Sequence, residues 1–175
     1  MSLAPPISDQ KADLRNAALA LRDAMPPEAR AAAAEVIANR AFPVAIKPGL
    51  VVSGFMPLKS EINPLPLLRK LAGAGAKLAL PAIAGRGKPL TMRAYAFGDE
   101  FARGQWGIRE PKPEAPEVFP DIVIVPLACF DRAGHRIGYG AGATLDLLPP
   151  ARRLYPALDE SRRDRGRGPL ARYGA

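Results

Sequence analysis

Asp121-Ile-Val-Ile-Val-Pro-Leu-Ala-Cys-Phe-Asp-Arg-Ala-Gly-His-Arg-Ile-Gly-Tyr-Gly-Ala-Gly142 is the stretch on which the reading of this chain turns. Asp121 to Val125 is a short run of β-branched residues, closed by Pro126, and reads as a buried strand. Behind it Gly134, Gly138, Gly140 and Gly142 fall within nine residues. Glycines let a backbone approach a phosphate and turn its N–H groups onto it. Arg132 and Arg136 add positive charge at the same place. No Gly-Lys-Ser/Thr follows, so this is not a P-loop. A relaxed dinucleotide fingerprint fits Gly138, Gly140 and Ala143, without the strand-end acid expected about 20 residues on. A phosphate-binding loop, a glycine-rich surface turn and a dinucleotide site all remain open on spacing alone.

Working back from this stretch, short apolar runs alternate with helical patterns. Residues 8 to 24 predict an amphipathic helix with Ser8 as N-cap and a stripe of Leu14, Leu21 and Met25, with Ala17 and Ala18 between. Pro26-Pro27 separates a second, alanine-rich helix reaching about Arg40. Pro48-Gly49 marks a turn and Leu50 to Phe55 a strand. Asn63-Pro64 starts a helix that runs to Gly73. Lys77 to Leu80 reads as a strand ended by Pro81, and Leu90 to Phe97 alternates as a strand does. Residues 98 to 120 read as loop-rich. The whole predicts an α/β fold with three layers, a mostly parallel sheet flanked by helices in the Rossmann-like manner.

Composition narrows the class. At 175 residues and 48% hydrophobic, one domain with a proper core is expected. No apolar stretch reaches the roughly 18 residues of a membrane helix, and the start has no signal-peptide pattern. The single cysteine, Cys129, excludes an intrachain disulfide framework and fits a reducing cytoplasm. The net charge of +8 divides evenly: residues 151 to 175 carry seven Arg against Asp159, Glu160 and Asp164, leaving the other 150 residues mildly basic. A polyphosphate or a polyglutamylated small molecule suits that body better than nucleic acid does.

Four further features bear on chemistry. Glu61 lies between a strand's end and the next helix, where ligands of open α/β sheets gather, and could accept hydrogen bonds from a heterocycle. A solvated loop glutamate is the plainer account. Lys11 and Arg15 stand one helical turn apart and could grip a triphosphate, or simply form a solvated face. Trp106 is either core or a ring-stacking residue. His135 is the only histidine, which leaves no easy catalytic triad or histidine metal cluster.

Taken in order, these pieces resemble the 5-formyltetrahydrofolate cyclo-ligase family, from about Lys11 to Gly142. They are Lys-x-x-x-Arg (Lys11, Arg15), Glu-Ile-Asn (Glu61 to Asn63), Gly-Ile-x-Glu-Pro (Gly107 to Pro111), Asp-Ile-Val-Ile-Val-Pro (Asp121 to Pro126) and Phe-Asp-x-x-Gly-x-Arg-Ile-Gly-x-Gly-x-Gly (Phe130 to Gly142). The resemblance implies a cytoplasmic, monomeric enzyme that binds ATP and 5-formyltetrahydrofolate in one cleft, with Mg²⁺ accompanying the ATP. Carried over by position, Lys11, Arg15 and the loop Gly134, His135, Arg136, Ile137, Gly138, Tyr139, Gly140, Ala141 and Gly142 would bind ATP. Met56, Glu61 and Trp106 would line the folate pocket. No membrane and no nucleic acid are expected as partners.

After Gly142 the chain departs from that pattern. The family continues with an aromatic residue, then Tyr-Asp; here Ala143-Thr144-Leu145-Asp146 puts Thr144-Leu145 at the Tyr-Asp position. Asp146, one residue late, is the candidate metal ligand. Residues 1–146 therefore read as the cyclo-ligase-like domain and 147–175 as an Arg/Pro-rich tail of the kind that a shift of reading frame near residue 143 would produce. The alternatives are a catalytically inactive homologue and a basic protein binding nucleotide or nucleic acid through its tail.

Overall fold

The computed structural model describes residues 7–83, 85, 90–104, 107–133 and 135–138. In chain order the elements are α1 (Ile7–Ala24), α2 (Pro27–Asn39), β1 (Val51–Ser53), α3 (Leu65–Gly73), β2 (Lys77–Ile83), β3 (Leu90–Tyr95), β4 (Phe101–Arg103), β5 (Arg109–Pro111), β6 (Ile122–Val123), β7 (Cys129–Phe130) and β8 (Arg136–Ile137). They form two compact units, residues 7–26 with 126–138 and residues 27–125. None of the described helices is long and apolar enough to cross a membrane.

The larger unit is built on a mixed sheet of order β3-β2-β1-β6. β1 is parallel to β2 and β6, and β3 is antiparallel to β2. The register aligns Val52 with Leu78 and Ile122, and Leu78 with Tyr95, so one face carries a row of apolar side chains. Helix α3, the crossover between parallel β1 and β2, lays Leu68 and Leu71 on that row, and Val52, Leu68, Leu71, Ala76, Leu78, Leu80 and Tyr95 make the core. Gly54 follows β1 because a Cβ there would overlap the Leu68 side chain. Helix α2 buries only Ala34 and Ala38. Lys70 of α3 holds its end, donating from Nζ to the carbonyls of Ala38 (2.8 Å) and Arg40 (2.9 Å), groups a helix terminus leaves unpaired.

Several sequence expectations need correction. Pro81 does not end β2, which continues to Ile83. Lys77 N–H and Ala79 C=O face β1, so alternation turns the N position of Pro81 to the same flank, where pairing with β1 has already stopped at Ala79. The missing N–H therefore costs no ladder bond. The loop-rich stretch 98–120, with no strand expected, contains the short antiparallel hairpin β4–β5. The strand expected over Asp121–Val125 is only two residues long, although its ladder extends to Asp121 and Ile124, which donate to Val51 O and Ser53 O at 2.8 Å each. β3 stops at Tyr95 rather than Phe97, because Asp99 turns the chain by accepting the Ala96 N–H at 2.7 Å.

The smaller unit pairs α1 with the hairpin β7–β8. Helix α1 begins at Ile7, which puts Ser8 inside the first turn rather than at the cap. The expected stripe is not the covered face: Leu14 is 58% and Leu21 76% exposed. The partly covered positions are Ala12, Arg15, Ala18, Leu19 and Arg22. Their helical spacing shows that one leucine, two alanines and two arginine stems face the packing side.

Leu68 is wholly buried. Leu68→Ala should lower unfolding free energy by about 2–5 kcal/mol, measured by urea denaturation with an unchanged slope. Gly54→Ala should be less damaging in that background than in the parent, since the two side chains compete for one space.

Candidate functional site

In the smaller unit, Arg15 of α1 meets the glycine-rich segment. The Arg15 Nε–H donates to the carbonyl of Gly138 at 2.8 Å, across 123 residues of sequence. That bond uses one donor of the guanidinium fork and leaves the Nη donors for an anion. Lys11, one turn earlier on α1, is exposed. Sequence reasoning thus anticipated both partners of a contact that only the fold could bring together.

The hairpin that delivers Gly138 is organised by Asp131, a residue given no role at the level of sequence. Its Oδ1 accepts the backbone N–H groups of Ala133 and His135, both at 2.9 Å, and its Oδ2 lies 2.9 Å from His135 Nδ1. Asp131 N–H in turn donates to His135 O at 3.0 Å, and Ala128 N–H to Ile137 O at 2.8 Å. An aspartate that folds its own turn in this way replaces backbone pairing with side-chain pairing. The His135 imidazole, first, and then the His135 backbone N–H hold the Asp131 carboxyl below its ordinary value. Arg136 and Ile137 form β8 and Gly138 follows. Gly134, Tyr139, Gly140, Ala141, Gly142 and Asp146 lie outside the described residues.

In the larger unit, the chain leaves the carboxyl end of β1 through the loop that carries Met56 and Glu61. Met56 packs against the core cluster. Glu61 ties the loop to itself: its Oε2 accepts the Leu58 N–H at 2.8 Å, and its own N–H donates to Leu58 O at 3.0 Å. Lys59 takes up φ 54° within this turn, and Ser60 is buried. Helix α3 starts where the Asn63-Pro64 signal puts it, but the cap is Pro64, with no side-chain cap bond; Asn63, one residue earlier, makes an Asx-type turn by accepting the Leu65 N–H on Oδ1 at 3.1 Å. Glu61 is thus held in place at the sheet edge where ligands of parallel α/β folds bind. Trp106 lies outside the described residues.

Sequence reasoning also passed over Glu110, which it quoted only as part of Gly-Ile-x-Glu-Pro. Glu110 is 7% exposed. Its Oε2 accepts the Ile83 N–H at 3.2 Å, while Oε1 is buried without a hydrogen-bond partner among the described residues. A Cβ on Gly104 would overlap this carboxylate. A buried acceptor left without a donor costs about 1–3 kcal/mol, which marks Glu110 as a residue kept for more than packing. The signal for it in sequence was the acid held between Ile108 and Pro111 with glycines on its N-terminal side.

Since the folded-state pKa of Asp131 is depressed, its turn is favoured above the ordinary aspartate value and that contribution is lost as pH falls through the lowered one. Protection of the Ala133 and His135 amides, taken relative to the intrinsic exchange rate at each pH, should therefore hold at neutral pH and fall in acid. In Asp131→Ala it should be weak at every pH.

Comparison with known proteins identifies the family and the fold. The model of the 5-formyltetrahydrofolate cyclo-ligase family matches residues 7–147. The 5-formyltetrahydrofolate cyclo-ligase of Mycolicibacterium smegmatis is 34% identical over 140 residues, covering 75% of this chain and 71% of that protein. The Escherichia coli K12 protein of the same name is 32% identical over 99 residues, 52% of this chain and 53% of its own length. Among solved structures, the NMR structure of Aquifex aeolicus 5,10-methenyltetrahydrofolate synthetase superposes with a TM-score of 0.63 at 28% identity, covering 76% of this chain and 69% of that one. The Mycoplasma pneumoniae 5,10-methenyltetrahydrofolate synthetase, at TM-score 0.53 and 16% identity over 75% of this chain and 73% of its own, shares the fold. With the ordered motifs, the mixed α/β sheet and the match over residues 7–147, the chain belongs to the 5-formyltetrahydrofolate cyclo-ligase family.

Proposed function

We propose that this chain converts 5-formyltetrahydrofolate and ATP to 5,10-methenyltetrahydrofolate, ADP and phosphate, acting as a cytoplasmic monomer. The observation that supports the assignment of parts is the bond from Arg15 Nε to Gly138 O, which holds one α1 cation against the glycine-rich run. On this reading Lys11, Arg15 and residues Gly134 to Gly142 bind ATP, with Arg136 among the phosphate contacts. Met56, Glu61 and Trp106 bind the folate.

The chemistry asks for few reacting side chains. The N5-formyl oxygen attacks the γ-phosphorus as the bond to the β-bridging oxygen breaks and ADP departs. N10 then attacks the activated formyl carbon and loses its proton. Cleavage of the carbon–oxygen bond releases phosphate and leaves the methenyl bridge. Phosphoryl transfer of this kind depends on alignment and charge neutralisation more than on a covalent nucleophile. Lys11, Arg15 and Arg136 supply positive charge, the glycine backbone supplies N–H donors, and Glu61 is an acceptor for a ring N–H of the pterin.

Among the described residues no group of three or more His, Cys, Asp or Glu could hold a metal ion. Mg²⁺ takes most of its oxygens from phosphates and water and needs only one or two carboxylates from a protein. Asp146 is the carboxylate we assign to it, and the ion would neutralise charge on the triphosphate. Thr144-Leu145 replaces the family's Tyr-Asp, so turnover by this chain should fall well below that of its relatives. Formation of methenyltetrahydrofolate, followed in a direct assay, checks this, and turnover equal to that of the relatives would refute it.

Binding tests the function separately from turnover. Mg-ATP and 5-formyltetrahydrofolate should each raise the melting temperature, since a ligand at 100 times its Kd adds about 2.7 kcal/mol. No shift with either would sink the proposal. Arg15→Ala should weaken Mg-ATP binding about ten- to hundredfold, the equivalent of a charged hydrogen bond worth about 1.5–3 kcal/mol. Arg15→Lys should recover only part of this, because lysine keeps the charge and loses the fork that reaches Gly138.

A further inference from the structure

We infer that Glu110 is a positioning residue for the folate side of the reaction, docking the β4–β5 hairpin onto the end of β2; this rests on the proposed cyclo-ligase function. The register shows where Glu110 stands. Lys77 N–H donates to Leu50 O and Ala79 O accepts from Gly54 N–H, so odd-numbered residues of β2 direct their backbone groups toward β1. The pairing of β2 with β3 runs without a slip from Leu78 to Ile83, which keeps Ile83 in the same phase. β1 pairs no further than Ser53 with Ala79. Ile83 therefore aims its N–H into the line that β1 has vacated, four residues, or about 13 Å, past the last pair.

Glu110 Oε2 fills that position and accepts the N–H at 3.2 Å. It does so beyond the carboxyl end of β1, the edge from which the loop with Met56 and Glu61 departs. The hairpin is shaped to it. Gly104 lies against the carboxylate with no room for a side chain, and its N–H closes the turn on Ile108 O at 2.9 Å. A leucine would fill the space without leaving an unpartnered oxygen, but it could not accept the Ile83 N–H. The retained function of the carboxylate is thus to fix β2 and the hairpin relative to each other. A flat, donor-rich heterocycle such as a reduced pterin needs walls held to that tolerance.

Dissociation constants for 5-formyltetrahydrofolate and for Mg-ATP, measured by calorimetry on the full chain, test this. Glu110→Leu should weaken folate binding about tenfold or more and leave Mg-ATP within about twofold. Glu110→Gln, whose amide oxygen can still accept the Ile83 N–H, should restore folate binding to within about threefold. Gly104→Ala should reproduce the folate-selective loss by displacing the carboxylate, and the Gly104→Ala/Glu110→Leu double variant should be no worse than either alone. Parent-like folate affinity in Glu110→Leu, equal loss of both ligands, or no rescue by glutamine would overturn the assignment. Should Glu110→Leu not fold, parent-like folate affinity in Gly104→Ala overturns it instead. A parent chain that binds Mg-ATP and not folate would defeat the cyclo-ligase reading, and this inference with it; a parent that binds both, with variants unaffected, defeats this inference alone.

Discussion

Three residues, Val51 to Ser53, hold the larger unit together, because β1 is hydrogen-bonded on both flanks. On one side Lys77 donates to Leu50 O and Gly54 to Ala79 O; on the other Asp121 donates to Val51 O and Ile124 to Ser53 O. The Asp121 side chain closes the ring by accepting the Val51 N–H at 2.9 Å. Placing so short a strand between two parallel neighbours forces its side chains inward, with Val52 and Ser53 both wholly covered. It also fixes where the chain must leave the sheet. Gly54 can turn away only because it offers nothing to collide with Leu68, and the loop it opens brings Met56 and Glu61 to the carboxyl edge.

On the proposed function, the catalytic demand would be met by division of labour. One unit gathers cations and glycine backbone around Arg15 and Gly138, and the other carries the carboxylates Glu61 and Glu110 at the end of a parallel sheet. Phosphate chemistry favours the first composition, and recognition of ring N–H groups the second. The sequence orders these parts so that the two ends of the domain, α1 and the glycine segment, converge from opposite directions. Asp131 makes that convergence possible by folding the intervening turn on its own oxygens.

Much of this was legible before any coordinates, and the reasons differ by element. Periodicity and proline placement found α1, α2, α3 and most of the sheet, because these signals are local. The Lys11, Arg15, Glu61 and glycine pieces stood out through their order along the chain. The misses share a cause: each depends on what lies across from a residue rather than beside it. Pro81 looks like a strand terminator until one knows which flank of β2 has lost its neighbour. Leu14 and Leu21 look like a buried stripe until Leu19, the alanines and the arginine stems are seen to form the covered face. Glu110 looks like a surface acid in a proline-rich loop, and only the pairing of β2 shows that its carboxylate sits on a backbone N–H.

Pro81 has one more consequence. Beyond Ala79 the flank of β2 would be an open row of donors and acceptors, a template on which an extended segment from another molecule could add itself. Proline withdraws the first donor of that row, and Glu110 engages the next at Ile83. The stretch is thereby protected from self-association although, among the described residues, no strand pairs with it on that flank. A single imino acid thus leaves this end of the sheet open and yet a poor starting point for polymerisation.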